Sequence, residues 1–126
     1  LKDVVEGTKG CSGLTLSIAL GYSSKDEIIT AVNRMLDDCK EKKLKASAID
    51  SELFSSYLLT DGMPDPDLIV KTSTKKDDFF IDDFFLWQMS YSEFCLVDKL
   101  FLEFESGDFG KLIDDYAQRE RRFGGI

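Results

Sequence analysis

Short apolar runs of strand length alternate along the chain with stretches in which apolar residues recur every three or four positions. Residues 1–13 are mixed, hold three glycines and show no period, so they read as a lead-in. Leu14-Thr15-Leu16-Ser17-Ile18-Ala19-Leu20 alternates large apolar with small side chains, as a mostly buried strand does. Gly21-Tyr22-Ser23 then makes a turn. Ser24, with Glu27 three residues later, predicts a capping box at the start of a helix. Ile28, Ile29, Val32, Met35, Leu36 and Cys39 fall on one face of that helix, at core-packing spacing. Asp37, Asp38, Lys40 and Glu41 fall on the other. The lysine-rich stretch from Lys40 to Lys45 reads as a solvated end, favourable at the negative pole of the helix dipole.

Further on, Asp50 is suited to cap a short second helix, with Ile49 stapled against Phe54. Asp61-Gly62-Met63-Pro64-Asp65-Pro66 is turn chemistry, because each proline holds the chain extended before it. Asp67-Leu68-Ile69-Val70-Lys71 follows as a short continuous apolar strand of the parallel-sheet type. Phe84 to Tyr91 reads as a short buried helix with Trp87 in the core, and Phe94-Cys95-Leu96-Val97 as another strand. Asp108 is the expected cap of a last helix, with Phe109, Leu112, Ile113 and Tyr116 inward and a basic end at Arg119, Arg121 and Arg122. The order strand, helix, helix, strand, helix, strand, helix predicts an α/β fold: a mostly parallel sheet flanked by helices. Ligands bind such sheets beyond the carboxyl ends of the strands, which here means the loops around Gly21, Lys71 and Asp98.

Composition narrows the chemistry. The 126 residues suit one domain or a piece of one, and 43% hydrophobic content with ten phenylalanines supplies a core. A net charge of −8 argues against nucleic-acid binding. With no histidine, the chain has no His-based zinc site and no Ser-His or Cys-His nucleophile. Cys11, Cys39 and Cys95 form no CxxC pair and are odd in number, so reduced, partly buried thiols are expected. No apolar run reaches the roughly 20 residues that cross a bilayer. Leu1 is not an initiator methionine, and the chain reads as cut from something longer.

Three motifs in order are more specific than any of this. Pro66-Asp67-Leu68-Ile69-Val70-Lys71-Thr72, Phe84-Phe85-Leu86-Trp87-Gln88-Met89-Ser90-Tyr91-Ser92-Glu93 and Arg119-Glu120-Arg121-Arg122-Phe123-Gly124-Gly125 resemble the signatures of the cis-prenyltransferases. That family includes undecaprenyl diphosphate synthase and dehydrodolichyl diphosphate synthase. Gly13 to Ile29 also looks like the family's strand and glycine-tyrosine turn before a helix, so the resemblance covers residues 13–126. It implies that residues 1–126 are the carboxyl-terminal part of a single cis-prenyltransferase domain, a fold incomplete at its amino terminus. Its implied reaction adds isopentenyl diphosphate to an allylic diphosphate with Mg2+ present. Holding two polyanions while a diphosphate leaves calls for metal and for cations on phosphate oxygens.

Carried over residue by residue, Lys71 stands where the family has an arginine that grips isopentenyl diphosphate; lysine keeps the charge and loses the bidentate fork. Glu93 matches a glutamate that helps hold magnesium. Arg122 and Gly124 match an R-x-G ending that reaches diphosphate across a dimer interface, so a homodimer or a heterodimer with another cis-prenyltransferase chain is implied. Against these roles stand a surface ion pair for Lys71, a helix-end carboxylate for Glu93 and a helix-terminal charge for Arg122. The implied location is cytoplasmic or at the membrane surface, the endoplasmic reticulum for a eukaryotic chain, and Phe79 and Phe80 either touch membrane or fold back.

Departures from the family are equally legible. The stretch from Ser73 to Asp83 is three residues longer than the family's, lacks its arginine and sets two lysines against four aspartates. Such a loop repels a diphosphate unless Lys75 and Lys76 turn inward or a metal intervenes. Asp77-Asp78 and Asp82-Asp83 lack the D-D-x-x-D spacing of the unrelated trans-prenyltransferases and read as solvated loop. The family's aspartate-glycine-asparagine loop, which carries its essential aspartate, has no counterpart here. No catalytic residue is therefore assigned, and the chain alone is expected to be inactive and to expose apolar surface. The alternative is a non-catalytic partner subunit like the Nogo-B receptor, which also has a degenerate diphosphate loop and keeps the R-x-G ending.

Overall fold

The computed structural model describes residues 1–73 and 82–120. Helix α1 (Lys2–Thr8) replaces the expected lead-in, although it buries none of its side chains. The predicted strand at 14–20 is a correction. The segment forms no ladder among the described residues, and Leu14, Leu16, Ile18 and Leu20 are 96%, 77%, 61% and 70% exposed. A strand's amides need a neighbouring strand, and none of the described elements supplies one.

Helix α2 (Ser24–Lys40) forms, but its capping differs from expectation. Ser23 is the N-cap and accepts from Asp26 N at 3.2 Å. Ser24 and Glu27 are buried instead of framing the helix start. The inward face is Ser24, Glu27, Ala31 and Met35, while Ile29, Val32 and Leu36 are exposed. The helix thus has two apolar stripes, and the described residues cover only one of them. Arg34 Nη1 donates to Tyr57 O (3.0 Å) and Tyr57 Oη donates to Asp38 Oδ2 (2.6 Å), which ties α2 to the chain after α3.

Helix α3 (Ser51–Ser55) starts as expected, with the Asp50 side chain accepting from Leu53 N at 2.8 Å. Strands β1 (Leu68–Thr72) and β2 (Glu93–Val97) form the parallel pair that the pattern predicts, in register Leu68 to Glu93 through Thr72 to Val97. Between them, Phe84 to Tyr91 is a series of turns and not a helix. Phe85 explains the change: its φ of +52° lies in the left-handed region, which a right-handed helix cannot include. Trp87 is 37% exposed instead of core, with its ring 4.5 Å from Phe54 and Nε1 donating to Ser55 Oγ at 2.9 Å.

Helix α4 (Ser106–Ala117) begins two residues before Asp108. Asp108 acts from inside the first turn, accepting from Glu105 N at 3.0 Å. Of the four residues expected inward, Leu112 is buried, Tyr116 is half-buried, and Phe109 and Ile113 are exposed. Among the described residues Ala31, Met35, Leu58 and Leu112 are the buried apolar ones, a small core. Cys11 is exposed, whereas Cys39 and Cys95 are half-buried; all three are free thiols. Among the described residues no helix is long and apolar enough to cross a membrane.

One ion pair secures α4. Lys99 Nζ lies 2.7 Å from Asp108 Oδ2 and 2.9 Å from Oδ1. The Lys99 ammonium and the Glu105 amide lower the Asp108 pKa below its usual value, while Asp108 raises that of Lys99. The carboxylate's contribution is therefore complete above the ordinary aspartate pKa and is lost as pH falls through the depressed one. The ammonium's contribution is complete below the ordinary lysine pKa and is lost as pH rises through the raised one. Asp108→Asn is expected to flatten the pH dependence of the urea midpoint at both ends, below about pH 4 and above about pH 10. An unchanged profile would show that the pair does not differ between folded and unfolded chains.

Candidate functional site

Lys71 comes one residue before the end of β1, at the carboxyl end of the parallel pair, where its strand neighbour is Leu96. Its side chain is one-quarter exposed, and Nζ lies 3.4 Å from Asp82 Oδ2. The loop after β1 thus returns an aspartate to the lysine that the sequence singles out. An aspartate here orients the ammonium and also offsets its charge.

Glu93 opens β2 and pairs with Leu68, so it stands at the other end of the sheet. Three residues of strand, roughly 10 Å, separate its level from that of Lys71. The structure does not bring these two candidates together. Glu93 Oε2 instead accepts from Arg119 Nη1 at 3.2 Å, and the same guanidinium donates to Phe94 O (2.9 Å) and Asp115 Oδ2 (2.9 Å). Those carboxylates, Asp115 first, raise the Arg119 pKa further. The sequence places Arg119 in a basic helix end and in the carboxyl-terminal motif; its partner Glu93 comes from a strand 26 residues earlier, which no local signal reveals. Arg122 and Gly124 lie outside the described residues, as do Phe79 and Phe80.

Among the described residues no three His, Cys, Asp or Glu side chains converge on a metal position. Magnesium commonly takes one or two protein carboxylates plus substrate phosphates, so Glu93 alone fits such an ion only if Arg119 gives it up. The cleft past the carboxyl end of β2, about 330 Å³, is lined by Asp98, Asp108, Asp115 and Lys111 beside Cys95 and Leu96. Asp108 and Asp115 are already paired with Lys99 and Arg119, so that surface holds its cations in ion pairs and offers a bare diphosphate little net positive charge.

What positions the Lys71 loop is a polar hub that the sequence did not disclose. Asp83 sits next to Asp82 and seals the start of α2: Ser23 Oγ donates to Oδ2, Lys25 N to Oδ1 at 3.1 Å, and Ser24 N to its carbonyl at 3.3 Å. The Ser23 hydroxyl, more than the amide of Lys25, holds the Asp83 pKa below its usual value. Behind it, Leu86 N donates to the buried Ser24 Oγ at 3.1 Å. Glu27 accepts from Tyr22 Oη, from Leu59 N at 2.8 Å and from Gln88 Nε2 at 3.2 Å. Burial and the Glu27 partner together raise the Tyr22 pKa. Gln88 Nε2 also donates to Thr60 Oγ1 at 2.8 Å, while Gln88 Oε1 is buried without a hydrogen-bond partner among the described residues. Tyr22 meets Phe84 and Phe85 edge-on, both at 5.5 Å. The Phe-Phe-Leu-Trp-Gln segment therefore locks the turn before α2 to the loop before β2.

Comparisons with known proteins agree with this arrangement. A family model described as "Putative undecaprenyl diphosphate synthase" matches residues 1–124. The isoprenyl transferase of Bacillus cereus is 40% identical over the whole of this chain, which covers 48% of that protein. The Agrobacterium fabrum isoprenyl transferase is 43% identical over the same span, half of its length. Among solved structures, lavandulyl diphosphate synthase from Lavandula x intermedia, in complex with dimethylallyl diphosphate, superposes with a TM-score of 0.87 at 27% identity. That match covers 97% of this chain and 52% of the synthase. A probable undecaprenyl diphosphate synthase from Campylobacter jejuni gives 0.76 at 33% identity, over 98% of this chain and 53% of its own. The chain spans about half the length of the relatives it matches.

Proposed function

Because this chain belongs to the undecaprenyl diphosphate synthase family of cis-prenyltransferases, we propose that its whole protein joins isopentenyl diphosphate to an allylic diphosphate. This chain contributes part of the isopentenyl diphosphate site through Lys71. Arg122 and Gly124 reach diphosphate across a dimer interface. Mg2+ travels with the substrate phosphates, and Glu93 is its carboxylate ligand from this chain. Members of the family are prenyl transferases.

The observation that supports this reading best is the setting of Lys71: a half-buried cation at the carboxyl end of a parallel strand, aligned by Asp82. A phosphate oxygen arriving there competes with Asp82 for the ammonium and gains a charge-assisted hydrogen bond in return. The Asp82 pairing also favours a second reading, a non-catalytic partner subunit, since it offsets a charge that a working site needs in full.

Calorimetry of isopentenyl diphosphate with this chain, with and without Mg2+, tests the binding claim. Lys71→Ala is expected to weaken binding by about tenfold or more, the worth of one hydrogen bond to a charged group. Lys71→Arg is expected to hold or tighten it by restoring a fork. Equal affinities for wild type and Lys71→Ala would remove Lys71 from the site. Turnover only after co-purification with a second prenyltransferase chain would select the partner-subunit reading.

A further inference from the structure

We propose that Arg119 is a further diphosphate-binding residue: it holds Glu93 until a metal-bound diphosphate arrives, then exchanges the carboxylate for a phosphate oxygen. The inference rests on the reading of Glu93 as a carboxylate ligand of Mg2+. Arg119 lies within the carboxyl-terminal motif but before its R-x-G ending, which begins at Arg122.

A charge that merely closes a helix is the plain alternative for Arg119, and its bonds argue against it. The residue follows the last turn of α4, yet its guanidinium turns to the first two residues of β2. Nη1 donates to Phe94 O at 2.9 Å and to Glu93 Oε2 at 3.2 Å. Nη2 donates to Asp115 Oδ2 at 2.9 Å. The contact to Glu93 is the longest of the three. Phe94 O and Asp115 therefore keep the guanidinium beside β2 when Glu93 lets go. The Glu93 and Arg119 side chains are 33% and 29% exposed, so an ion from solvent can reach the pair.

Charge decides which ion opens the pair. A bare diphosphate meets Glu93 still in place and is repelled by it. A divalent cation alone draws Glu93 away, but it leaves the Nη1 proton that faced Glu93 without its acceptor. That loss is worth about one hydrogen bond to a charged group. The cation and the guanidinium then also repel each other across one carboxylate. A metal ion that brings a phosphate oxygen removes both penalties, because the oxygen accepts from Nη1 as the carboxylate did. One contact forms for the one that breaks, and the added anion offsets the added cation. Metal at Glu93 and phosphate at Arg119 thus favour each other, each by the same factor.

Mn2+, counted by its paramagnetic resonance, stands in for Mg2+ in the test, since both suit octahedral oxygen sites. This chain is titrated with Mn2+ alone and with the preformed one-to-one complex of Mn2+ and inorganic pyrophosphate. Arg119→Gln frees Glu93 and is expected to bind Mn2+ alone about tenfold tighter and the complex about tenfold weaker. Opposite signs are the signature, because a variant that only loosens the fold weakens both. Arg119→Lys keeps the charge, loses the fork and should fall between wild type and Arg119→Gln in both titrations. Glu93→Gln is expected to weaken both by about tenfold or more. A Glu93→Gln chain that binds the complex like wild type, or a wild-type chain that binds neither probe, would remove the metal reading of Glu93 and the exchange with it. With Glu93→Gln weakened as expected, Arg119→Gln affinities that move in the same direction, or that do not move, would overturn the exchange alone.

Discussion

Glu27→Ala is expected to destabilise the folded chain by about 3 to 5 kcal/mol, because it strips the acceptor from three donors at about 1 to 3 kcal/mol for each that stays buried. Glu27 is 4% exposed and accepts from a phenol, a backbone amide and a side-chain amide. Deletion takes the acceptor from Tyr22 Oη, Leu59 N and one proton of Gln88 Nε2, and only those donors that water does not reach bear the cost. Folded domains have only about 5 to 15 kcal/mol in total, and the apolar core here is small. The expected readout is loss of a cooperative urea transition near room temperature. Glu27→Gln keeps an acceptor oxygen and the side-chain volume, so it should retain a transition at a lower midpoint. Should Glu27→Ala melt within about 0.5 kcal/mol of wild type, the hub would be a surface feature and the Lys71 loop would have some other anchor.

Because the hub holds Asp83, damage to it should also reach Lys71. Asp82, which aligns the lysine, is one residue from Asp83, whose carboxylate seals the first turn of α2. The start of α2 and the position of Lys71 are thus joined through two consecutive aspartates that the sequence presents as solvated loop.

How legible this was depends on the distance over which each signal acts. Local signals are legible: Asp50 is a cap, Gly21 and Gly62 stand in the expected turns, where the structure gives them positive φ, and the apolar run forms β1. The parallel pairing followed from the order of elements. Failures came where a partner distant in sequence decides the outcome. Glu27 looked like half of a capping box because its spacing from Ser24 fits one, yet tertiary donors at positions 59 and 88 claim it. The helical stripe chosen for α2 followed the largest apolar residues and so missed the face of Ser24, Glu27, Ala31 and Met35, whose small and polar members hide it. Phe84 to Tyr91 has helix-like apolar content, but a left-handed Phe85 turns the chain so that Gln88 can point inward. Residues 14–20 carry a sound strand pattern, yet among the described residues they form no ladder. For the candidate site, the motif resemblance located Lys71 and Glu93 but could not show that they lie at opposite ends of the sheet.

The second large effect concerns chemistry. In a chimera where residues 1–126 replace the matching segment of the Bacillus cereus isoprenyl transferase, that relative supplies the half of its length that this chain does not span. Lys71→Ala in that chimera is expected to lower kcat/KM for isopentenyl diphosphate by about 100-fold, the scale on which one preorganised donor to a developing or bound anion acts. Lys71→Arg should recover most of the loss, because a guanidinium supplies both charge and fork. Asp82→Asn frees the ammonium of a competing carboxylate and is expected to lower KM with little change in kcat.

Turnover of that chimera, with isopentenyl diphosphate, farnesyl diphosphate and Mg2+, is the most direct trial of the proposal that this half-domain helps to hold a diphosphate. Magnesium-dependent chain elongation that falls steeply in Lys71→Ala is the predicted result. A chimera as stable as its parent that turns over nothing, or one in which Lys71→Ala works as well as wild type, would contradict it.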